Sequence, residues 1–190
     1  MTALPSLETE RLIVRPFTMD DLDAKQRLNQ AVWGEVTEEA QRAYLTWAVA
    51  NYQQLAMLFQ PPYGDRAIEL KVTGEMIGSV GIVPAWIPWG VLASTQDTES
   101  AADPANARCS PEMGLFYAVH PDHQRKGYAA EAARAVVDAM FKRNLKRFIA
   151  TTDFDNEASI AVMRKLGMTI ERNQFSQPHW CQIVGVLENK

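Results

Sequence analysis

The stretch His120-Pro-Asp-His-Gln-Arg-Lys-Gly-Tyr-Ala129 has the residue types and spacing of an anion site. It lies between a predicted strand, Glu112 to Val119, and a predicted alanine-rich helix from Gly127 to about Asn144. A turn entering a helix leaves several backbone N–H groups unpaired, and the helix dipole adds partial positive charge there. Gly127 lacks the Cβ that would hold a phosphate off that backbone, and Ala129 and Ala130 keep the first turn slim. Arg125 and Lys126 bring two formal charges to the same spot. The chemistry this suits is the binding of a pyrophosphate. Taken alone, Gln-x-x-Gly-x-Ala also describes a plain helix start with solvated charges. Neither a Walker-type phosphate loop nor the glycine triplet of dinucleotide folds is present. His120 and His123 lack a third ligand, which argues against a metal site.

The elements that must position this turn can be read from periodicity. Leu12, Val14 and Pro16 alternate as a first strand, and Thr18 with Asp21 makes a capping-box-like start for a helix through about Asn29. Thr37 opens a second helix to about Phe59, with Ala40, Ala43, Tyr44, Trp47, Val49 and Leu55 roughly in helical period. Arg66 to Val72 and Met76 to Trp86 form a hairpin across Thr73-Gly74-Glu75, and Ser94 to Pro111 reads as a surface loop. After the Gly127 helix, with Val136, Val137, Met140 and Phe141 on its apolar side, come a strand from Phe148 to Thr152 and a short helix from Ala158 to Leu166. Gly167 stops that helix. Met168 to Arg172 and Cys181 to Leu187 close the sheet. The order is α+β, with one strand–helix–strand unit from Glu112 to Thr152 and no composition break to mark a second domain.

Composition sets outer limits. A chain of 190 residues, 47% apolar and 22% charged, can bury one core as a single domain over residues 1–190. A net charge of -4 argues against a nucleic-acid face and mildly favours cationic acceptors such as amines. Cys109 and Cys181 make no metal-type pair and read as reduced thiols. Met1 to Glu10 lacks the pattern of a secretory signal. The uncharged run from Met76 to Gln96 is broken by Gly78, Gly81, Pro84, Pro88 and Gly90, so it reads as a strand running into a loop rather than a membrane span. A cytoplasmic protein without a membrane partner is expected.

A second cluster, Asp153-Phe-Asp-Asn-Glu-Ala-Ser-Ile-Ala-Val-Met-Arg-Lys-Leu-Gly-Met168, follows the parallel neighbour of the first strand, so the two clusters should meet at one sheet edge. With both in view, the chain resembles the GNAT superfamily of acetyl-CoA-dependent N-acetyltransferases. The motif Q/R-x-x-G-x-G/A matches Gln124 to Ala129. The later pattern matches Asn156, Ser159, Lys165, Leu166, Gly167 and Met168. The opening Glu8-Thr-Glu-Arg-Leu-Ile-Val-Arg-Pro-Phe17, followed by Asp20-Asp21-Leu22, resembles the RimJ/RimL-type branch, which acetylates protein N-termini and other amines. The resemblance implies a GNAT fold, a mixed but mostly antiparallel sheet of about seven strands splayed around the cofactor and flanked by about four helices.

It also implies roles. Gln124 belongs to the cofactor motif, and backbone amides from Arg125 through Lys126, Gly127, Tyr128 and Ala129 to Ala130 would hold the pyrophosphate of acetyl-CoA. Val119 would pair its backbone with the pantetheine arm, and Asn156 would hydrogen-bond that arm. Glu112 stands where family members carry a base, or is a carboxylate satisfied by a neighbouring strand or by solvent. Ser159 stands where the branch protonates the departing thiolate, or is a first-turn serine bonding its own helix. The connection from Asn29 to Thr37 flanks the acceptor side in the family, which singles out Trp33 and Glu35. Trp86 and Trp89 read by default as core or loop packing and His179 as a turn histidine, with the acceptor side as the alternative for each. The acceptor would be a peptide N-terminus or a small-molecule amine. The long stretch from Pro88 to Pro111 leaves the choice between an open groove and an enclosed pocket open. An acyl-CoA-binding regulatory module without turnover is the reading from another class, and a homodimer is compatible with either.

Overall fold

In this computed structural model the structure describes residues 3–92 and 109–190. Most of the Ser94 to Pro111 loop and of the Pro88 to Pro111 stretch therefore lies outside the described residues. The strands are β1 Leu7–Glu8, β2 Leu12–Arg15, β3 Gly64–Leu70, β4 Met76–Pro88, β5 Cys109–Val119, β6 Arg147–Thr152, β7 Thr169–Arg172 and β8 Ile183–Glu188. The α-helices are α1 Leu22–Trp33, α2 Glu38–Met57, α3 Tyr128–Phe141 and α4 Glu157–Lys165. The strands join in the order β1-β2-β3-β4-β5-β6-β8-β7. The pairs β1–β2, β2–β3, β3–β4, β6–β8 and β7–β8 are antiparallel, and β5–β6 is parallel. This is the mixed α+β GNAT architecture expected from the sequence, with eight strands among the described residues in place of about seven. The extra one is the two-residue β1, too short to show a period. The strand expected at Glu112 starts three residues earlier, so Cys109 to Pro111 belong to β5 rather than to a loop.

Two compact units make up the chain. One comprises Met1–Val83 with Phe116–Ala139, the other Pro84–Leu115 with Met140–Lys190. In the first, Thr18 does cap the Met19–Asp21 turn that leads into α1, with its N–H donating to Asp21 Oδ2 at 2.8 Å. Arg15 holds the same carboxylate through two bonds of 2.8 Å. Burial pushes the Asp21 carboxyl up, but these bonds outweigh it and hold it below its ordinary range. Phe17, Leu22, Leu45 and Ala67 pack into one core cluster. Helix α2 turns inward by a different stripe than its periodicity suggests: Gln41, Leu45 and Ala48 are buried, whereas Ala40, Ala43 and Trp47 face solvent.

In the second unit Ile87, Val91, Leu92, Ile149, Cys181 and Val184 form the core cluster. Helix α4 ends as its sequence predicts. Gly167 takes φ +80°, and the Met168 N–H reaches back to the Met163 carbonyl at 3.0 Å, the closing bond of a Schellman motif.

Candidate functional site

The turn between β5 and α3 is built entirely within the first unit. The His120 N–H donates to the Ile77 carbonyl on β4 at 2.8 Å. Strand alternation then points the backbone groups of Val119 away from β4. Glycine permits this approach: a Cβ at Gly78 would fall 2.4 Å from the Ala118 carbonyl oxygen. The Gln124 side chain donates to the Val119 carbonyl at 2.9 Å, tying the turn to the strand end. Pro121 opens a short 3-10 turn to His123, and His123 lies 3.4 Å from Glu75 in the β3–β4 connection.

Arg125 and Gly127 both have left-handed backbone, φ +61° and +86°. Alternating handedness turns successive N–H groups toward one concavity, a form that binds anions. The Gly127 carbonyl accepts from the Glu131 N–H at 3.1 Å, which starts α3 with glycine at the capping position. Glycine has no side chain to occupy the N–H groups of Tyr128, Ala129 and Ala130, which lie in the first helical turn. Exposed Arg125 makes no ion pair among the described residues, whereas Lys126 donates to the Asp122 carbonyl at 2.9 Å.

One residue of this region escaped sequence reasoning. Arg11 pairs with Glu131 at 2.6 Å, donates to the Lys126 carbonyl at 3.1 Å and lies 4.5 Å from the centre of the Tyr128 ring. Its only signal was membership of the opening motif.

Trp33 ends α1, is 55% exposed, and stacks on Phe116 of β5 with ring centres 6.0 Å apart. Phe116 was not singled out from sequence, because an aromatic on a strand reads as core. Glu35 is exposed in the connection to α2.

In the second unit Asn156 caps α4, its Oδ1 accepting from the Ser159 N–H at 3.0 Å. The carboxamide N–H groups of exposed Asn156 have no protein acceptor among the described residues. Ser159 is part-buried in the first turn. Trp86 is exposed on β4, and His179 sits exposed in a turn beside Gln177, 2.8 Å from its amide.

The Glu112 carboxylate is held by three side chains of the second unit. Its Oε2 accepts from Arg147 Nε at 2.8 Å, Arg147 also holds Oε1, and Ser110 and Trp89 donate to Oε1 at 3.0 and 3.1 Å. Arg147 in turn lies over the Trp89 ring. Burial pushes the Glu112 carboxyl up, yet Arg147, Ser110 and Trp89 together hold it below its ordinary range. A carboxylate so held is a weak base. A folded-state pKa below the unfolded one gives stability that is full above the ordinary carboxylate range and fades as pH falls through the folded value. Glu112→Gln should therefore cost about 1–2 kcal/mol at pH 7 and flatten the acid limb of stability below about pH 5. Urea midpoints across that range check this. An acid limb as steep as in the parent would show that Glu112 carries none of it.

No group of three or more His, Cys, Asp and Glu among the described residues could hold a metal ion, and no described helix is long and apolar enough to cross a membrane.

The model of the acetyltransferase (GNAT) domain matches residues 11–169. The uncharacterized N-acetyltransferase YoaA of Bacillus subtilis is 31% identical over 176 residues, which are 88% of this chain and 84% of that protein. Among solved structures, an acetyltransferase from Agrobacterium tumefaciens superposes with TM-score 0.66 at 23% identity, over 99% of this chain and 96% of its own. RimL, a ribosomal L7/L12 alpha-N-protein acetyltransferase solved with coenzyme A, does so at 0.63 and 17%, over 95% of each chain. The fold expected from the RimJ/RimL-type opening is thus shared with RimL itself. A family model spanning most of the sequence, and a relative aligned along most of its own length, place this chain in the GNAT family of acetyltransferases.

Proposed function

We propose that the protein transfers the acetyl group of acetyl-CoA to a primary amine. The turn from Gln124 to Ala130 carries this reading, because two left-handed residues and an uncapped helix mouth leave backbone donors and Arg125 available to a pyrophosphate. Bound there, acetyl-CoA supplies a thioester that an amine can attack. The chain's own residues would bind and orient. The Val119 N–H would donate to the pantetheine arm, since Gln124 already occupies its carbonyl. The Asn156 amide N–H groups would donate to the same arm while its oxygen keeps the α4 cap. The Ser159 hydroxyl would meet the departing sulfur.

The state of Glu112 bears on the acceptor. Neutralising a lysine at pH 7 costs about 4.6 kcal/mol, whereas an α-amino group of pKa about 7.7–8.0 is already roughly a tenth neutral. A weak base suits the second, so an N-terminal α-amine is the favoured acceptor, with a water relay taking the proton. The aromatic pair Trp33 and Phe116, with Glu35 nearby in sequence, would receive it.

The engagement of Glu112 is also the observation that favours an acyl-CoA-binding module without turnover. Release of free thiol from acetyl-CoA, measured with a panel of peptide N-termini, lysine and small amines, separates the two. Release with any amine supports the transferase. Tight binding without release from any acceptor supports the module, and no binding at all defeats both.

Ser159→Ala is expected to lower turnover about tenfold and leave the KM for acetyl-CoA within about twofold. It is the Ser159 backbone N–H, not its hydroxyl, that Asn156 holds, so the cap survives the change. Steady-state kinetics under saturating acceptor provide the check. Unchanged turnover would remove the hydroxyl from the reaction.

A further inference from the structure

The turn that joins β1 to β2 is clamped onto the first turn of α3. Thr9 Oγ1 accepts from the Leu12 N–H at 3.0 Å and donates to Glu131 Oε1 at 2.6 Å. The Arg11 N–H donates to the same oxygen at 3.0 Å, and Arg11 Nε donates to Oε2 at 2.7 Å. Lys71, just beyond β3, fixes the turn from below: its N–H donates to the Arg11 carbonyl at 3.0 Å and its Nζ to the Thr9 carbonyl at 2.7 Å. Arg11 Nη2 lies 3.5 Å from where a Cβ on Gly127 would stand, so the guanidinium borders the helix mouth.

Glu131 creates an electrostatic problem there. A carboxylate in a first helical turn suits the dipole, but it competes with any incoming anion for the same positive potential. It is charged, because burial, which raises its carboxyl, is outweighed by Thr9 and Arg11 and the group lies below its ordinary range. Within one turn of a bound diphosphate, a carboxylate without a cation would repel it.

We infer that Arg11 is a positioning residue for the diphosphate end of acetyl-CoA. It neutralises Glu131 and holds the Lys126 carbonyl, so that the turn from Arg125 to Gly127 faces the ligand with its N–H groups and no uncompensated negative charge. This rests on the pyrophosphate reading above and adds a residue and a device that reading lacks.

A double-mutant cycle tests it, with coenzyme A as the calorimetric probe at low and moderate salt. Arg11→Ala is expected to weaken binding about fivefold, a modest figure because the pair is partly exposed and screened. Glu131→Gln should bind at least as well as the parent, and Arg11→Ala with Glu131→Gln should recover to within about twofold of it. In turnover assays the Arg11→Ala loss should appear in the KM for acetyl-CoA and leave kcat within about twofold. A merely structural Arg11 would instead give equal losses in the single and double variants, accompanied by a lower Tm. That result overturns the inference while leaving the pyrophosphate site standing. If the parent protein bound no coenzyme A, both would fall.

Discussion

Gly127→Glu is expected to abolish binding of coenzyme A, weakening it by more than about a hundredfold. Two effects act together. Gly127 has φ +86°, a conformation that costs an L-residue about 1–2 kcal/mol, so relief of strain would turn the N–H groups of the first α3 turn off target. The new carboxylate would also stand where the ligand's charge must sit. Room is not the obstacle, because an added Cβ would meet only Arg11, at 3.5 Å. Gly127→Ala separates the two effects: it carries the strain without the charge and should lose about tenfold. Calorimetric titration with coenzyme A reads both, and thermal unfolding confirms that each variant folds. A Kd unchanged in Gly127→Glu would mean that the diphosphate binds elsewhere, and the transferase reading built on that turn would have to be abandoned.

Why this turn was legible in sequence, and its support was not, follows from the range of the interactions. The proposed anion site is local: Gln124 to Ala130 contribute consecutive backbone groups, so their order and types are on view in one short stretch. The Schellman ending of α4 is equally local. Arg11 lies 120 residues from Glu131 in the chain, so its job appears only once the β1–β2 turn meets α3. Glu112 illustrates the same limit. Its type and strand were readable, but whether it was free or paired depended on Arg147, 35 residues away. Helix α2 failed for another reason. Alanine and tryptophan score as apolar wherever they stand, so a helix with apolar residues on several sides does not announce which stripe faces inward. The structure buries Gln41 and leaves Trp47 54% exposed. β1, two residues long, carries no period at all.

The buried charges of the first unit were invisible for the same reason, and they hold the largest stability effect expected here. Lys25 on α1 donates to Asp65 Oδ2 on β3 at 2.8 Å and to Ser79 Oγ on β4 at 3.2 Å, with side-chain exposures of 3% for Lys25 and 4% for Asp65. The Tyr44 hydroxyl donates to Asp65 Oδ1, and the rings of Phe17 and Tyr44 lie 5.2 and 5.5 Å from the ammonium. Tyr52, its hydroxyl pushed up to about 12 chiefly by burial, donates to the Asp65 carbonyl at 2.6 Å and accepts the Phe17 N–H. The pair thus pins α1, and with it Trp33 at the helix end, to the middle of the sheet. Desolvation makes such a pair a poor source of net stability, but removing one partner strands the other charge. Lys25→Met is therefore expected to cost about 3–5 kcal/mol, read as a fall in urea midpoint at constant slope. Lys25→Met with Asp65→Asn should regain at least half of that loss, because a neutral amide can still accept from Tyr44 while no charge remains to desolvate. If the double variant were no more stable than Lys25→Met, the penalty would arise from lost packing of the lysine stem, and the ion pair would not be what fastens α1 to the sheet.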